Sequence, residues 1–489
     1  MILNFINGQY REGRSGRSFD DINPVDGSVI AQVSEASRED VDEAVRAARA
    51  ALSGPWATLK LAQRCDMLYA IANEIDRRAE DFLAAEIADT GKPRSLASHL
   101  DIPRGAANFR IFADTVRNIA TETFTGNAPD GLPTLNYALR RPKGVIAVVC
   151  PWNLPLLLMT WKVGPALACG NTVVVKPSEE TPATAALLGE VMNSVGVPAG
   201  VFNVVHGFGA DSAGEFLTTH PDIDAITFTG ETSTGAAIIR ASAAGIKPVS
   251  MELGGKNPAI IFADADLDST LAGLKRSVFE NTGQVCLGTE RVYVQRPVYD
   301  TLVQRLAELA KSLKPGRPAD STTQLGPLIS AEHQRKVLSY YELARQEGGV
   351  AVAGGGIPEM PQELRAGSWI EPTVWTGLSH DSRVAREEIF GPCCAVIPFD
   401  TEAEVVAMAN DTRYGLAASV YTSNIDKAHR VASQLRVGVV WVNSWFVRDL
   451  RTPFGGSGAS GIGREGGVHS VEFYTELSNV CVKFKGSSD

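Results

Sequence analysis

Cys286, Glu252 and Asn153 each place reactive chemistry in a local sequence that a folded chain could exploit. Cys286 lies in Asn281-Thr282-Gly283-Gln284-Val285-Cys286-Leu287-Gly288, with glycines on both sides that permit close approach to the thiol. A thiolate there could act as a covalent nucleophile. An isolated cysteine is more often a buried apolar filler, and Cys65, Cys150, Cys169, Cys393, Cys394 and Cys481 carry that reading. Glu252 stands in Met251-Glu252-Leu253-Gly254-Gly255-Lys256, at the end of a short apolar run. Most glutamates are solvated surface charges. One placed between Met and Leu and followed by paired glycines fits a crevice, where burial lifts its pKa into the range of a useful base. Asn153, in Pro151-Trp152-Asn153-Leu154-Pro155, also falls just past a strand end. Its amide could donate to a developing oxyanion, although a turn-forming asparagine has the same local sequence.

Composition narrows the setting for this chemistry. A net charge of -10 with no Lys/Arg cluster provides no electrostatic footprint for nucleic acid. Seven cysteines, an odd number with no CxxC pair, read as reduced thiols of a cytoplasmic protein. The start, Met1-Ile2-Leu3-Asn4-Phe5, has neither a basic region nor a long apolar one, so no targeting signal is expected. The most apolar stretch, 144–159, is short for a membrane span and is interrupted by Pro151 and Pro155. The histidines form no HExxH and no cluster with cysteines, so no metal site is expected.

The elements that must position these residues follow from hydrophobic period and caps. At 489 residues the chain needs more than one core. Ser37-Arg38-Glu39-Asp40 resembles a capping box opening a helix to about Leu52. Further helices are expected over 59–89 and 101–119. From Gly144 the pattern alternates, with short buried strands at 145–149, 172–175, 201–205, 225–229 and 248–251 and helices between them. Thr181-Pro182 reads as the start of one such helix. This alternation predicts a doubly wound parallel sheet, with the ligand crevice at the carboxyl ends of its strands. A second alternating run from 258 to 443 predicts a second α/β domain. The segment 121–141 and the tail beyond about Ser470, with Val471, Phe473, Val480 and Val482, read as extended.

Seven motifs in order add a resemblance to a known family. Pro151-Trp152-Asn153, Val175-Lys176-Pro177-Ser178-Glu179, Phe228-Thr229-Gly230, Glu252-Leu253-Gly254-Gly255-Lys256, Gly283-Gln284-Val285-Cys286, Glu387-Glu388-Ile389-Phe390-Gly391-Pro392 and Pro453-Phe454-Gly455-Gly456 resemble the motif set of the aldehyde dehydrogenase superfamily. Any one of them is weak; together they overturn the bland readings above. The resemblance implies two doubly wound α/β domains and an extended oligomerisation arm. An NAD-binding domain would take 1–119 and 143–251, a catalytic domain 252–469, and the arm 120–142 and 470–489. Cys286 would attack the aldehyde, Asn153 and the Cys286 backbone N–H would hold the oxyanion, and Glu252 would activate water against the thioester. Relatives that transfer the acyl group to coenzyme A commonly lack this glutamate, so hydrolysis is implied.

For the cofactor, the resemblance places Lys176 and Glu179 on the adenosine ribose, Glu388 on the nicotinamide ribose and Phe390 near the ring. Trp152, Ser178, Thr229 and Leu253 complete that set. A carboxylate at 179 would repel a 2′-phosphate, which favours NAD over NADP. Gly209 and Gly230 would start helices beside the adenosine and pyrophosphate. Two positions depart from many relatives. Glu231 replaces a small hydroxyl residue and is expected to point away, with Ser233 as substitute donor. Gly458 stands where many carry lysine.

Trp441-Val442-Asn443-Ser444-Trp445-Phe446-Val447-Arg448-Asp449-Leu450 and the run from Gly463 to Ser470 resemble the muconic-semialdehyde branch most. That likeness implies a semialdehyde of aromatic-ring degradation bearing a carboxylate, held by Arg104 and Arg448 with Trp445 nearby. Guanidinium forks suit a carboxylate. A structural helix-surface Arg104 and a loop ion pair at Arg448 remain the alternatives. 2-Hydroxymuconate semialdehyde leads; 2-aminomuconate semialdehyde and a betaine-type or broad aldehyde stand behind it, as does a non-catalytic binding protein on this fold. The resemblance also implies a homodimer or homotetramer.

Overall fold

The computed structural model describes residues 1–485 of the chain. An eight-stranded sheet runs in the order 461–462, 249–252, 225–229, 145–149, 172–176, 202–204, 4–6 and 9–11. Its five central strands are parallel. Val145–Val149, Thr172–Lys176 and Ala225–Thr229 are buried along their whole length, as strands covered on both faces should be. The helix Pro155–Ala168 starts with proline in its first turn and buries nearly its whole surface among Ile102–Arg117, Leu61–Arg77 and the sheet. Arg38–Ala51 has the full Ser37–Asp40 capping box. The second helical region breaks at Arg78 into Leu61–Arg77 and Ala79–Thr90.

The central strands lie in the order fifth, fourth, first, second, third. Strand order therefore reverses between Val145–Val149 and Ala225–Thr229. The connections leave in opposite directions there, and a crevice opens beyond the strand ends. The segments 150–154 and 230–231 form its lips.

Glu252 ends the last parallel strand, and five residues later Asn257–Ile261 begins the second sheet. That sheet has seven strands in the order 350–353, 373–376, 393–399, 289–295, 257–261, 417–421 and 439–442, parallel except at the first pair. The chain then returns, and Gly461–Ile462 joins the first sheet antiparallel to the strand that carries Glu252. A third sheet pairs Thr475–Lys483 with Pro133–Pro142 and Thr123–Asn127. Phe124 and Leu477 are exposed on it, and Phe484 just beyond its last strand. Among the described residues, no helix is long and apolar enough to cross a membrane.

Two local expectations are corrected. Thr181 does not cap the following helix: its hydroxyl has no partner, the helix is Ala183–Ser194, and Asp89 Oδ2 accepts from the Ala183 N–H at 3.0 Å. Residues 467–474 are helix, not strand. Val471 and Phe473 imitate an alternating pattern, but burial falls on Gly467, Ser470, Val471 and Tyr474, which is helical spacing. The extended tail starts at Thr475, and residues 486–489 of the expected arm lie outside the described residues.

Candidate active site

A cavity of about 910 Å³ lies at the reversal of strand order, between the two large sheets. Trp152, Lys176, Ser178, Glu179, Gly209, Thr229, Gly230, Ser233, Leu253, Glu388 and Phe390 all line it, together with Asn153 and Cys286. Glu252, Arg104, Arg448 and Trp445 do not line this cavity. Glu180, Glu332, His333 and Lys336 do, and sequence reasoning missed them.

Three loops shape the cofactor-sized part of this space. Strand Thr172–Lys176 delivers Lys176, whose Nζ lies 2.7 Å from Glu179 Oε2. Burial pushes the Glu179 carboxyl up, but the Lys176 ammonium more than offsets this and holds it below its usual range. Glu179 is thus an anion with one oxygen free to accept. Glu388 Oε1 accepts from the Gly255 N–H at 2.8 Å, which leaves its other oxygen available. Burial and the neighbouring Glu290 charge push Glu388 up to about 7. Its loop is held from beneath: Glu290 accepts from the N–H groups of Ile389 and Phe390 and pairs with Lys256. Trp152, His333 and Phe390 pack ring against ring, with centroids 5.2–6.1 Å apart. Burial pushes His333 down to about 4, so a neutral imidazole bonds the Phe390 carbonyl at 2.8 Å.

The two glycines expected to start helices do not. Ser212 and Glu231 are the residues at the helix thresholds, and the helices are Ala213–Thr219 and Thr232–Ala243. Ser212 is fixed there because its hydroxyl donates to Glu35 at 2.7 Å and accepts from the Phe208 N–H. Glu231, expected to turn away, is exposed and lines the cavity.

Deeper in, Asn153 Nδ2 donates to the Gln284 carbonyl at 2.9 Å. An amide NH2 carries two hydrogens, so one remains for a ligand. Cys286 is half-buried; its carbonyl accepts from Asn257 at 2.8 Å. Burial first, then the charges of Glu252 and Glu388, push the thiol up to about 12, against the opposing pull of Arg448 and the Leu287 N–H. Glu252 is buried and neither of its carboxylate oxygens has a partner. Burial and the Glu465 charge push its pKa well above the carboxylate range, with Lys162, Arg448 and Arg464 pulling the other way. At rest the thiol is therefore neutral, and it feels the charge of a Glu252 carboxyl that burial itself raises. Gly455 is required beside it: with φ +145°, an added Cβ would lie 2.8 Å from Glu252 Oε1.

Behind Glu252, buried Lys162 pairs with Glu465 at 2.8 Å, and Ser250 Oγ donates to the same carboxylate. One signal was available: Lys162 is the lone charge in an otherwise apolar buried helix. Gly458 also has a cause. It has φ +60° and an added Cβ would come within 2.6 Å of the Arg413 carbonyl, so lysine does not fit this backbone.

Arg448 and Arg104 sit beside Trp161, with their guanidinium carbons 5.1 and 5.5 Å from its ring centre. Arg448 also lies 3.9 Å from the Phe454 ring centre, and its Nη2 is buried without an acceptor. Arg104 donates to Asn108 at 3.1 Å. Among the described residues, no carboxylate forms a salt bridge with either arginine. Burial pushes Arg104 down to about 9, aided by Arg448, and Arg448 down to about 10, against Glu252, Glu465 and Cys286. Both remain cations at neutral pH. Trp445 is buried; its indole N–H donates to the Leu287 carbonyl at 2.9 Å, bracing the Cys286 loop from behind.

A cysteine under the influence of an unpaired buried carboxyl, lining a cavity at a strand-order reversal, defines a covalent-catalysis site adjoining a nucleotide-type cleft. The model of the aldehyde dehydrogenase family matches residues 10–480. The chain belongs to the aldehyde dehydrogenase family. It is 64% identical to 2-hydroxymuconic semialdehyde dehydrogenase of Pseudomonas sp. (strain CF600), over 99% of both chains. It is 60% identical to 2-aminomuconic 6-semialdehyde dehydrogenase of a Pseudomonas species, over 99% of this chain and 98% of that one. The NAD+ complex structure of aldehyde dehydrogenase from Bacillus cereus superposes with a TM-score of 0.95 at 41% identity, covering 99% of this chain and 97% of that one.

Proposed function

We propose that the protein oxidises a carboxylate-bearing semialdehyde to the dicarboxylate with NAD, hydrolysing a thioester on Cys286. The substrate we favour is 2-hydroxymuconate semialdehyde, the compound named in the 64% identical relative. One observation carries the carboxylate requirement: two guanidinium groups flank Trp161, that of Arg448 close enough to act on the thiol, and among the described residues no carboxylate forms a salt bridge with either. Burying a guanidinium without a partner is unfavourable, and a ligand carboxylate removes that penalty. A betaine-type cationic aldehyde would be repelled there.

In this reading Cys286 adds to the aldehyde carbonyl, and the remaining Asn153 N–H and the Cys286 N–H hold the oxyanion. The C–S bond forms as the thiol proton leaves, for which Glu252 is the nearby acceptor. The donor set fits NAD: an ionised Glu179 for ribose hydroxyls, a second acceptor at Glu388 and an aromatic wall at Trp152 and Phe390. Bound NAD would supply the hydride acceptor. Once the thiol proton has passed to solvent, Glu252 takes a proton from water as the oxygen attacks the thioester, and the sulfur leaves as thiolate. Ser178, Thr229, Ser233, Leu253, Lys176, Gly209 and Gly230 are assigned to the cofactor cleft, Arg104 and Arg448 to the substrate, and Trp445 to the support of that side.

We further propose that residues 1–119 and 143–251 act as the NAD-binding unit and 252–469 as the catalytic unit, and that the third sheet mediates a homodimer or homotetramer. A cytoplasmic location suits seven free cysteines. The test of substrate is a panel of 2-hydroxymuconate semialdehyde, 2-aminomuconate semialdehyde, betaine aldehyde and a neutral alkanal, followed by NADH absorbance. The expected order places the anionic semialdehydes first in kcat/KM. Betaine aldehyde in first place would sink the reading.

A further inference from the structure

Asn281, Thr282 and Gly283 have φ of +52°, +54° and +73°, a left-handed run that ends three residues before the nucleophile. Side chains meet steric resistance in that conformation, which persists where surrounding contacts over-determine it. Here they converge on one amide. Asn281 Nδ2 donates to the Asn153 backbone carbonyl at 3.0 Å and to the Gln284 carbonyl at 3.1 Å. The Gln284 carbonyl also accepts from Asn153 Nδ2 at 2.9 Å. These bonds close a ring that leaves the Asn153 backbone, passes through Asn281 and Gln284, and returns through the Asn153 side chain. It joins loops from the two large sheets, since Asn153 follows strand Val145–Val149 and Gln284 precedes strand Thr289–Gln295.

Lys92 anchors the ring from the other side. Its buried Nζ donates to the Asn153 carbonyl at 3.1 Å and pairs with Asp101 at 2.7 Å and Glu86 at 3.4 Å. Glu86 in turn accepts from the Leu156 N–H at 3.3 Å, just beyond Asn153 in the chain. The Asn153 carbonyl thus accepts from both Lys92 and Asn281, and its loop is pinned on two sides.

We propose that Asn281 is a positioning residue for the oxyanion step, with Lys92 as its anchor. It holds Gln284 where one Asn153 N–H is spent, which leaves the other N–H aimed at the oxygen of the Cys286 adduct. The inference rests on the reading of Asn153 as the oxyanion donor. The terminal torsion of an asparagine is broad, so without the ring the amide would have to be oriented during the reaction.

Asn281→Gly tests this, because glycine keeps the left-handed backbone and removes only the amide. One oxyanion donor is worth roughly 10²–10³ in rate. The first-turnover NADH burst with a neutral alkanal should therefore fall about 10- to 100-fold in the full-length variant. NAD binding should persist, and alkylation of Cys286 by iodoacetamide, which needs no oxyanion, should stay within about 2-fold of wild type. The burst of Asn153→Ala/Asn281→Gly should be no slower than that of Asn153→Ala, since a residue acting through another adds nothing once that one is gone. A wild-type burst in Asn281→Gly, multiplying losses in the double variant, or a parallel loss of alkylation would each overturn the proposal. An undiminished burst in Asn153→Ala would instead remove the oxyanion reading beneath it. Should Asn281→Gly not fold, Asn281→Asp, which keeps the volume but cannot donate, takes its place in the same cycle. If neither folds, Asn281 serves the fold alone and the proposal fails.

Discussion

Replacing Arg448 by alanine separates recognition of the substrate from general support of the site. Two effects are expected. The Arg448 cation opposes the upward push on both Glu252 and Cys286, so its loss should slow every aldehyde to some degree. The second effect concerns anionic substrates alone. Arg448 Nη2 is buried without an acceptor, and a charge-assisted bond to a carboxylate placed there is worth roughly 1.5–3 kcal/mol. That corresponds to about ten- to a hundred-fold in kcat/KM. The ratio of kcat/KM for 2-hydroxymuconate semialdehyde to that for a neutral aldehyde of similar length cancels the first effect and isolates the second. Measured by NADH absorbance, the ratio should fall by that factor in Arg448→Ala. It should recover only in part in Arg448→Lys, which keeps the charge but loses the planar fork. An unchanged ratio would mean that Arg448 only packs on Phe454 and Trp161, and the carboxylate argument would collapse.

Three further outcomes follow from the site. Glu179→Ser should relax the preference for NAD over NADP, because it removes an anion that would repel the 2′-phosphate; equal efficiency with both in the wild type would contradict this. With the Cys286 thiol pushed up to about 12, alkylation by iodoacetamide in the absence of cofactor should climb about tenfold per pH unit from pH 7 to 10. In Glu252→Gln, which lacks one of the charges responsible, the profile should shift to lower pH; a plateau near pH 7 in the wild type would show a thiolate already formed. Light scattering should find a dimer or tetramer that shifts toward monomer when Leu477 on the exposed third sheet becomes lysine, whereas a fully active wild-type monomer would remove the arm's assigned role.

Much of the fold was legible because it is written locally. The strand Val145–Val149 is an uninterrupted apolar run, Ala225–Thr229 is a short β-prone run of apolar residues and threonine, and Ser37–Asp40 is a cap that acts within one turn. The N-terminal hairpin of Asn4–Ile6 and Gln9–Arg11 went unread; three-residue strands are too short to show a period. Thr181 misled because the cap of its helix is supplied by Asp89, which is distant in sequence. Residues 467–474 misled because two apolar residues in alternation do not distinguish a strand from the buried stripe of a helix. The cofactor cleft was readable through motifs at strand ends. Lys162 with Glu465, the rings of Trp152 and His333, and Lys92 on Asn153 were not, since each pair meets only after the chain folds. No local pattern records a partner 303 residues away.

The central claim is a covalent acyl intermediate on Cys286 that Glu252 clears. Glu252→Gln should release NADH in a first turnover, slowed by loss of the acceptor for the thiol proton, and then stall, because acylation precedes activation of water. Acid quenching of that reaction, digestion and mass spectrometry should find the peptide containing Cys286 heavier by the acyl group of the substrate. Cys286→Ala should show neither adduct nor NADH. A burst of NADH with Cys286 unmodified, or substantial oxidation by Cys286→Ala, would contradict the account.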